Sequence, residues 1–195
     1  DGSTFTFTTQ VTPPYSLLRG NADYKTMSAE DKYKWLEYYK WKVEAIWYHK
    51  IVGKLVLASS FKFGFLNYYN KDVGYSPFER FKLGGTGLVG WNLYGSEVIS
   101  QRGYDQYTSG SGAVNFNKYT LELRYPISTN PSATVYVHSF LEGGNAFYSI
   151  KDYNPFKLYR TAGVGVRFFL PMFGLLGLDC GWRFDNAPNN QPISQ

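Results

Sequence analysis

Apolar and polar residues alternate with a period of two along seven stretches of the chain, and this pattern predicts β-strands that present one face to each side of a sheet. Clusters of Gly, Pro, Asn and Ser separate the stretches and mark turns, including a tight turn at Gly53. In the first connection, Ser28 followed by Asp31 predicts the cap of a short helix that ends near Leu36. The predicted strands are 3–12, 40–51, 55–67, 118–126, 133–148, 158–170 and 175–184.

The last four predicted strands each combine an almost wholly apolar face with a face that mixes Gly and charged residues. In the final one, Leu178 and Trp182 share one face, whereas Gly177, Asp179 and Arg183 share the other. Gly at alternate sites is unusual on a water-facing surface but suits a crowded barrel interior that holds an inserted segment. The pattern therefore predicts an all-β fold, an antiparallel transmembrane β-barrel, with an ion pair between Asp179 and Arg183 on its inner wall.

The predicted connections alternate in length along the chain. Short ones fall at 128–132 and 171–174, and longer ones at 15–36, 70–112 and 149–157. Short turns on one side of the membrane and long loops on the other are typical of outer-membrane barrels. Loops as long as 70–112 are usually functional or disordered.

The number of predicted strands is odd, whereas bacterial barrels built from one chain have an even number. An open barrel would also leave unpaired backbone groups in lipid. Residues 186–195 have a loop composition without a further strand. We therefore expect residues 1–195 to be the C-terminal part of a larger transmembrane barrel, without its final strand.

The composition is compatible with a membrane barrel but does not require one. Aromatic residues make up 19% of the 195 residues and charged residues 18%, compared with about 25% charged in an ordinary soluble domain. No apolar run reaches the ~20 residues of a transmembrane helix. A soluble β-sandwich rich in Tyr, acting as a binding module, is the alternative.

Few residues in the chain suit catalysis or metal binding. The net charge of +5 is dispersed and shows no basic run that would indicate nucleic-acid binding. Cys180 is the only cysteine, and His49 and His138 lie far apart in sequence, so we expect no metal site. His138 shares a strand face with Glu142, but no nucleophile accompanies the pair. We expect a protein that is not an enzyme and carries no cofactor.

Two motifs stand in the predicted loop 70–112. Its base carries Pro77, Phe78, Phe81, Gly84 and Gly85, and its tip carries Gln101, Arg102, Gly103 and Tyr104. Glu122 and Glu142 follow on the polar faces of the next two strands. In order and spacing, these residues resemble the BamA family of outer-membrane protein assembly factors, part of the bacterial surface antigen superfamily. The resemblance covers residues 77–185.

In that family the loop folds back into the barrel, and its Arg meets acidic residues of the inner wall. The resemblance therefore implies insertion and folding of outer-membrane β-barrel proteins, in the outer membrane of a Gram-negative bacterium. A client strand would pair with the barrel edge by β-augmentation. The implied partners are unfolded outer-membrane protein clients, accessory assembly lipoproteins and membrane lipid, and N-terminal periplasmic repeats would precede the barrel.

Two departures from the family pattern are visible. An insertion that includes 91–94 lengthens the stretch between Gly85 and Arg102, and Glu142 stands where Asp is usual. Two other functions stay open. A two-partner secretion exporter shares the loop motif, and a porin-like solute channel would use the long loop as a constriction.

The chemistry of the tip motif favours a contact between loop and wall. Arg carries five donors in a planar fork and can bridge two carboxylates. Glu122 and Glu142 lie on consecutive strands, so we expect cross-strand neighbours that repel unless a cation lies between them. Arg102 can supply that cation, while Gly103 allows a sharp turn and Tyr104 packs on the wall. The alternative is a solvated Arg102 above a wet channel.

Overall fold

In a computed structural model, the chain folds mainly into β-strands, and the described residues are 1–20, 23–85, 96–108, 110, 112–130, 133–172 and 174–188. The strands are β1 (Gly2–Val11), β2 (Tyr39–Val52), β3 (Leu55–Asn67), β4 (Phe81–Leu83), β5 (Glu97–Ile99), β6 (Asn115–Asn130), β7 (Ala133–Phe147), β8 (Tyr159–Leu170) and β9 (Gly174–Arg183). The helices are α1 (Tyr15–Leu18), α2 (Ala29–Lys32) and a 3-10 turn at Ile150–Asp152. None of these helices in the described ranges has the length and apolarity needed to cross a membrane.

Seven strands form one antiparallel sheet in the order β1-β2-β3-β6-β7-β8-β9. The three long connections, 12–38, 68–114 and 148–158, therefore lie at the same end of the sheet. At the opposite end Gly53, with a φ of 57°, makes the predicted tight turn between β2 and β3. The predicted all-β antiparallel sheet of seven strands is confirmed, and in the described residues it is open, with β1 and β9 as its edges.

The two faces of the sheet have opposite character, as the alternation predicted. The apolar face carries exposed large side chains, among them Phe5, Leu121, Val164, Leu178 and Trp182, and Leu178 is 75% exposed. The other, covered face lies under the long loop between β3 and β6. A continuous exposed apolar surface of this kind marks contact with a membrane or a protein.

The hydrophobic core lies between the covered face and the long loop. Its buried residues are Leu66, Phe81, Leu83, Ile99, Tyr104, Tyr107, Phe116 and Ala187. Phe81, on the loop, meets Phe116, on β6, in an edge-on contact with 4.8 Å between ring centroids. Within the loop, β4 and β5 pair in parallel. These three-residue strands were not predicted, because they are too short to show a period.

Helix α2 is shorter than predicted. The Ser28 hydroxyl accepts the expected hydrogen bond from the Asp31 amide at 3.2 Å, but the helix ends at Lys32, four residues before the predicted end. The Trp35 ring packs against Tyr15 of α1 at 5.2 Å between centroids. This tertiary contact takes the chain out of the helical path.

Strand β6 is longer than the predicted 118–126, because it begins at Asn115 and ends at Asn130. Its first four residues are all buried beneath the loop, so the alternation of apolar and polar residues is lost there. The insertion at 91–94, residues 131–132 of a predicted short turn and residues 189–195 of the predicted terminal loop lie outside the described residues.

Candidate functional site

The long loop turns onto the covered face through two glycines at its base. Gly84 and Gly85 have φ values of 99° and 76°, in the left-handed region that other residues rarely adopt. The Gly84 amide donates to the Ile99 carbonyl at 3.1 Å, and the Gly85 amide donates to the Tyr104 carbonyl at 2.7 Å. A Cβ atom at Gly84 would overlap the carbonyl oxygen of Asp105. The close approach of the two loop segments therefore requires glycine at this position.

The other residues of the base motif differ in their surroundings. Phe81 is fully buried in the core, whereas the Phe78 side chain is 41% exposed. Pro77 is half-buried in the turn before β4. Only Phe81 of these three packs in the core beside the glycine turn.

The tip of the loop reaches β8 through buried polar contacts. The Gln101 amide group, fully buried, donates to the Tyr159 carbonyl at 2.6 Å. Gly103 has a φ of 79° and reverses the chain. The Tyr104 side chain is buried, and its hydroxyl lies 2.9 Å from the Arg160 carbonyl oxygen. The Gln101 and Tyr104 side chains thus help to hold the tip against β8.

Arg102 bridges the two wall carboxylates. Its Nη2 lies 2.6 Å from Glu122 Oε1 and 2.7 Å from Glu142 Oε1. Its Nε donates to Glu142 Oε1 at 3.0 Å, and its backbone amide donates to Glu142 Oε2, also at 3.0 Å. The guanidinium stacks over the Phe140 ring, with Cζ 3.7 Å from the centroid. Carboxylate, amide and aromatic contacts together fix the planar group.

The two carboxylates are diagonal neighbours rather than direct cross-strand partners. In the β6–β7 ladder, Thr120 lies opposite Glu142, and Glu122 lies opposite Phe140. The offset leaves space between the two carboxylates, and the Arg102 fork fills it above Phe140. The expected adjacency on consecutive strands is therefore correct, but its register differs from a direct pair.

Each carboxylate also has a second cation, which the sequence analysis did not identify. Lys118 Nζ lies 3.2 Å from Glu142 Oε1 and donates to the Ser100 carbonyl at 2.6 Å. Arg124 Nη2 lies 2.6 Å from Glu122 Oε2. Lys118, Arg124 and Glu122 stand at even positions of β6, so their shared face was visible in the sequence. Their partners were not.

Burial by itself lowers the pKa of Arg102, but Glu142 and Glu122 outweigh that effect and raise the pKa above its usual value. The guanidinium is therefore charged near neutral pH.

Asp179 belongs to a second cluster on the covered face, and its predicted pairing with Arg183 is wrong. Asp179 is held by Arg167, with Nη1 2.7 Å from Oδ1 and Nη2 2.5 Å from Oδ2. Its Oδ1 also lies 3.0 Å from His138 Nε2. The same His138 nitrogen is 3.3 Å from Arg102 Nη1. The cluster therefore extends the Arg102 network from β7 to β8 and β9.

A cavity of about 780 Å³ borders this network. Gln101, Arg102, Glu122, Glu142, Asp179 and Arg183 are among its lining residues. On β9 the lining includes Gly177 and Gly181, and Gly181 lies close to Gly103 of the loop tip. The arrangement offers charge pairing and shape, and no nucleophile with an activating base was found among these lining residues.

A family model described as the Omp85 superfamily domain matches residues 2–195. Members of this superfamily are outer-membrane β-barrels of Gram-negative bacteria and organelles, with roles in outer-membrane assembly or secretion. A comparison with curated proteins gave no match. Because the family model matches nearly the whole chain, the chain belongs to the Omp85 superfamily.

Proposed function

We propose that this chain is the wall and inward loop of a BamA-like barrel, which inserts and folds outer-membrane β-barrel proteins without catalysing a chemical reaction. The observation that carries the proposal is the bridge from Arg102, at the loop tip, to Glu122 and Glu142 on two neighbouring strands. Membership of the superfamily supports a role in outer-membrane assembly or secretion.

The proposed mechanism needs a wall that keeps its shape while another part of the barrel opens. The Arg102 network connects the loop to β6 and β7 and, through Asp179, to β9. A sector held from inside in this way resists opening, so strain concentrates at a weaker seam. A client strand then pairs with the edge at that seam through backbone hydrogen bonds. Lipid favours this pairing, because it offers no partner for a free amide or carbonyl.

In this proposal the open sheet is part of a closed barrel, whose further strands pair with β1 and β9. The apolar face contacts membrane lipid, and the covered face lines the barrel interior. The partners are unfolded outer-membrane protein clients and accessory assembly lipoproteins. No cofactor takes part.

Complementation of a depleted strain tests the proposal. The cell receives the whole protein with Arg102→Ala, Arg102→Lys or Arg183→Ala, and the folded fraction of several outer-membrane barrels is measured by heat-modifiable gel mobility. Arg183 is the matched control: it lines the same cavity but has no carboxylate within 4 Å among the described residues. We expect a clear assembly defect with Ala, a smaller one with Lys and none with the control.

Three results would contradict the proposal. If depletion leaves all barrel proteins folded but stops the release of one secreted protein, the chain serves an exporter. If depletion changes only the uptake of small solutes, it serves a channel. Normal barrel assembly with Arg102→Ala would show that the bridge does not contribute to function.

A further inference from the structure

We propose that Lys40 is a positioning residue that holds the base of the long loop to β2, independently of the Arg102 contact at the loop tip. Lys40 lies on the covered face, and its side chain is only 2% exposed. A buried ammonium group is strongly disfavoured unless charged or polar groups surround it. The residues that surround Lys40 come from the N-terminal end of the parallel β4–β5 pair, where Phe81 lies opposite Glu97.

The contacts of Lys40 join both short strands to the sheet. Its Nζ lies 3.3 Å from Glu79 Oε2, just before β4, and 3.3 Å from Glu97 Oε2, the first residue of β5. It also lies 4.7 Å from the centroid of the Phe81 ring. One side chain of β2 therefore contacts the loop at Glu79 and Phe81, which precede residues 86–95 in the sequence, and at Glu97, which follows them.

The backbone at Glu79 supports a specific role for this ion pair. Glu79 has a φ of 64° and is the only residue other than Gly with positive φ in the described part of the chain. Such a conformation is uncommon for a residue with a side chain and persists where its surroundings impose it. From this conformation the Glu79 side chain reaches Lys40.

The Lys40 and Arg102 anchors are separate in space and in composition. Lys40 is on β2 and the partners of Arg102 are on β6, β7 and β9, with β3 between β2 and β6. The two sets of ion pairs share no residue. Sites that share no partners act nearly independently. The tip can therefore detach from the wall while the base remains in place.

Hydrogen exchange of the whole protein in lipid nanodiscs tests this, because one amide reports each anchor. The amide of Glu97 donates to the Arg80 carbonyl at 2.9 Å, at the base. The amide of Arg102 donates to Glu142 at 3.0 Å, at the tip. With Lys40→Met we expect exchange at residue 97 to rise at least tenfold and exchange at residue 102 to rise less than threefold. Arg102→Ala should give the opposite result.

Two further variants isolate the charge. Lys42→Met is the matched control. Lys42 is partly exposed on the same face, and of the two carboxylates it contacts only Glu97, at 3.1 Å. We expect less than a threefold change at residue 97. The double variant Glu79→Gln with Glu97→Gln keeps the shapes of the side chains, leaves Lys40 intact and should loosen residue 97 at least as much as Lys40→Met. This variant also replaces Lys40→Met if the latter does not fold.

Three outcomes would overturn the proposal. Equal acceleration at residues 97 and 102 with Lys40→Met would show that the loop opens as one unit. No change at residue 97 would show that Lys40 holds nothing. Unchanged protection in the Gln double variant would assign the effect of Lys40→Met to lost packing rather than to the ion pairs.

Discussion

Replacing Arg102 with Ala should release the loop tip while the sheet stays folded. The substitution removes the guanidinium from between Glu122 and Glu142 and from the face of the Phe140 ring. It leaves the backbone amide of residue 102 free to donate to Glu142, as it does now at 3.0 Å. The strands themselves lose no ladder hydrogen bond.

The magnitude follows from what remains at the site. Breaking a buried ion pair costs about 3–5 kcal/mol when it leaves a charge without a partner. Here Glu142 keeps Lys118 at 3.2 Å and Glu122 keeps Arg124 at 2.6 Å. The Arg102 side chain is also 18% exposed, so water screens part of the interaction. We therefore expect a loss of about 2–3 kcal/mol, or roughly 30- to 150-fold at 1.4 kcal/mol per factor of ten.

Hydrogen exchange at the amide of residue 102 measures this loss directly, with amides of β7 as the internal reference. Arg102→Lys should give an intermediate value, because an ammonium cannot span two carboxylates as a fork does. A rise of less than about fivefold with Ala would refute the energetic argument. An equal rise in β7 would refute the claim that the tip opens separately from the sheet.

Three other predictions follow from the same geometry. Gly103→Ala should destabilise the docked tip by about 1–2 kcal/mol, because φ is 79° and the new Cβ would lie 2.9 Å from Thr161 Cγ2. Proteolysis of the loop should then be faster, and an unchanged rate would contradict the prediction. Lys118→Met should weaken the contact between the loop tip and the wall, because Glu142 and the Ser100 carbonyl lose a donor. The loop should then melt at a lower temperature than in the native protein, and an unchanged melting temperature of the loop would contradict this. Spin labels should contact a lipid-soluble quencher at position 164 and not at 165, and the reverse result would invert the assigned faces of β8.

The sequence alone determined the seven strands of the main sheet and their faces. Leu178 and Asp179 fall on opposite sides of β9 because successive side chains of any strand point to opposite faces, a property of the local backbone. Gly53 marked a turn for an equally local reason, since Gly adopts positive φ without steric cost. Such features need no information about distant residues. They were predicted with errors of a few residues at the strand ends.

The candidate site was predicted in part. The order of the motifs placed Arg102 with Glu122 and Glu142, and the structure brings these three side chains together. Their diagonal offset depends on the register of β6 against β7, which alternation does not specify because a shift by two residues preserves every face. The same register brings Lys118 into an ion pair with Glu142.

Contacts between distant segments were decided only by the tertiary structure. Lys40 contacts Glu79 and Glu97 because the loop lies against β2, and no local sequence pattern predicts this placement of the loop. Asp179 shows the same principle on a smaller scale. Opposite Arg167 stands Gly177, which has no side chain, so the guanidinium extends over β9 to reach Asp179. The space above Gly177 on the neighbouring strand therefore decided that Asp179 pairs with Arg167.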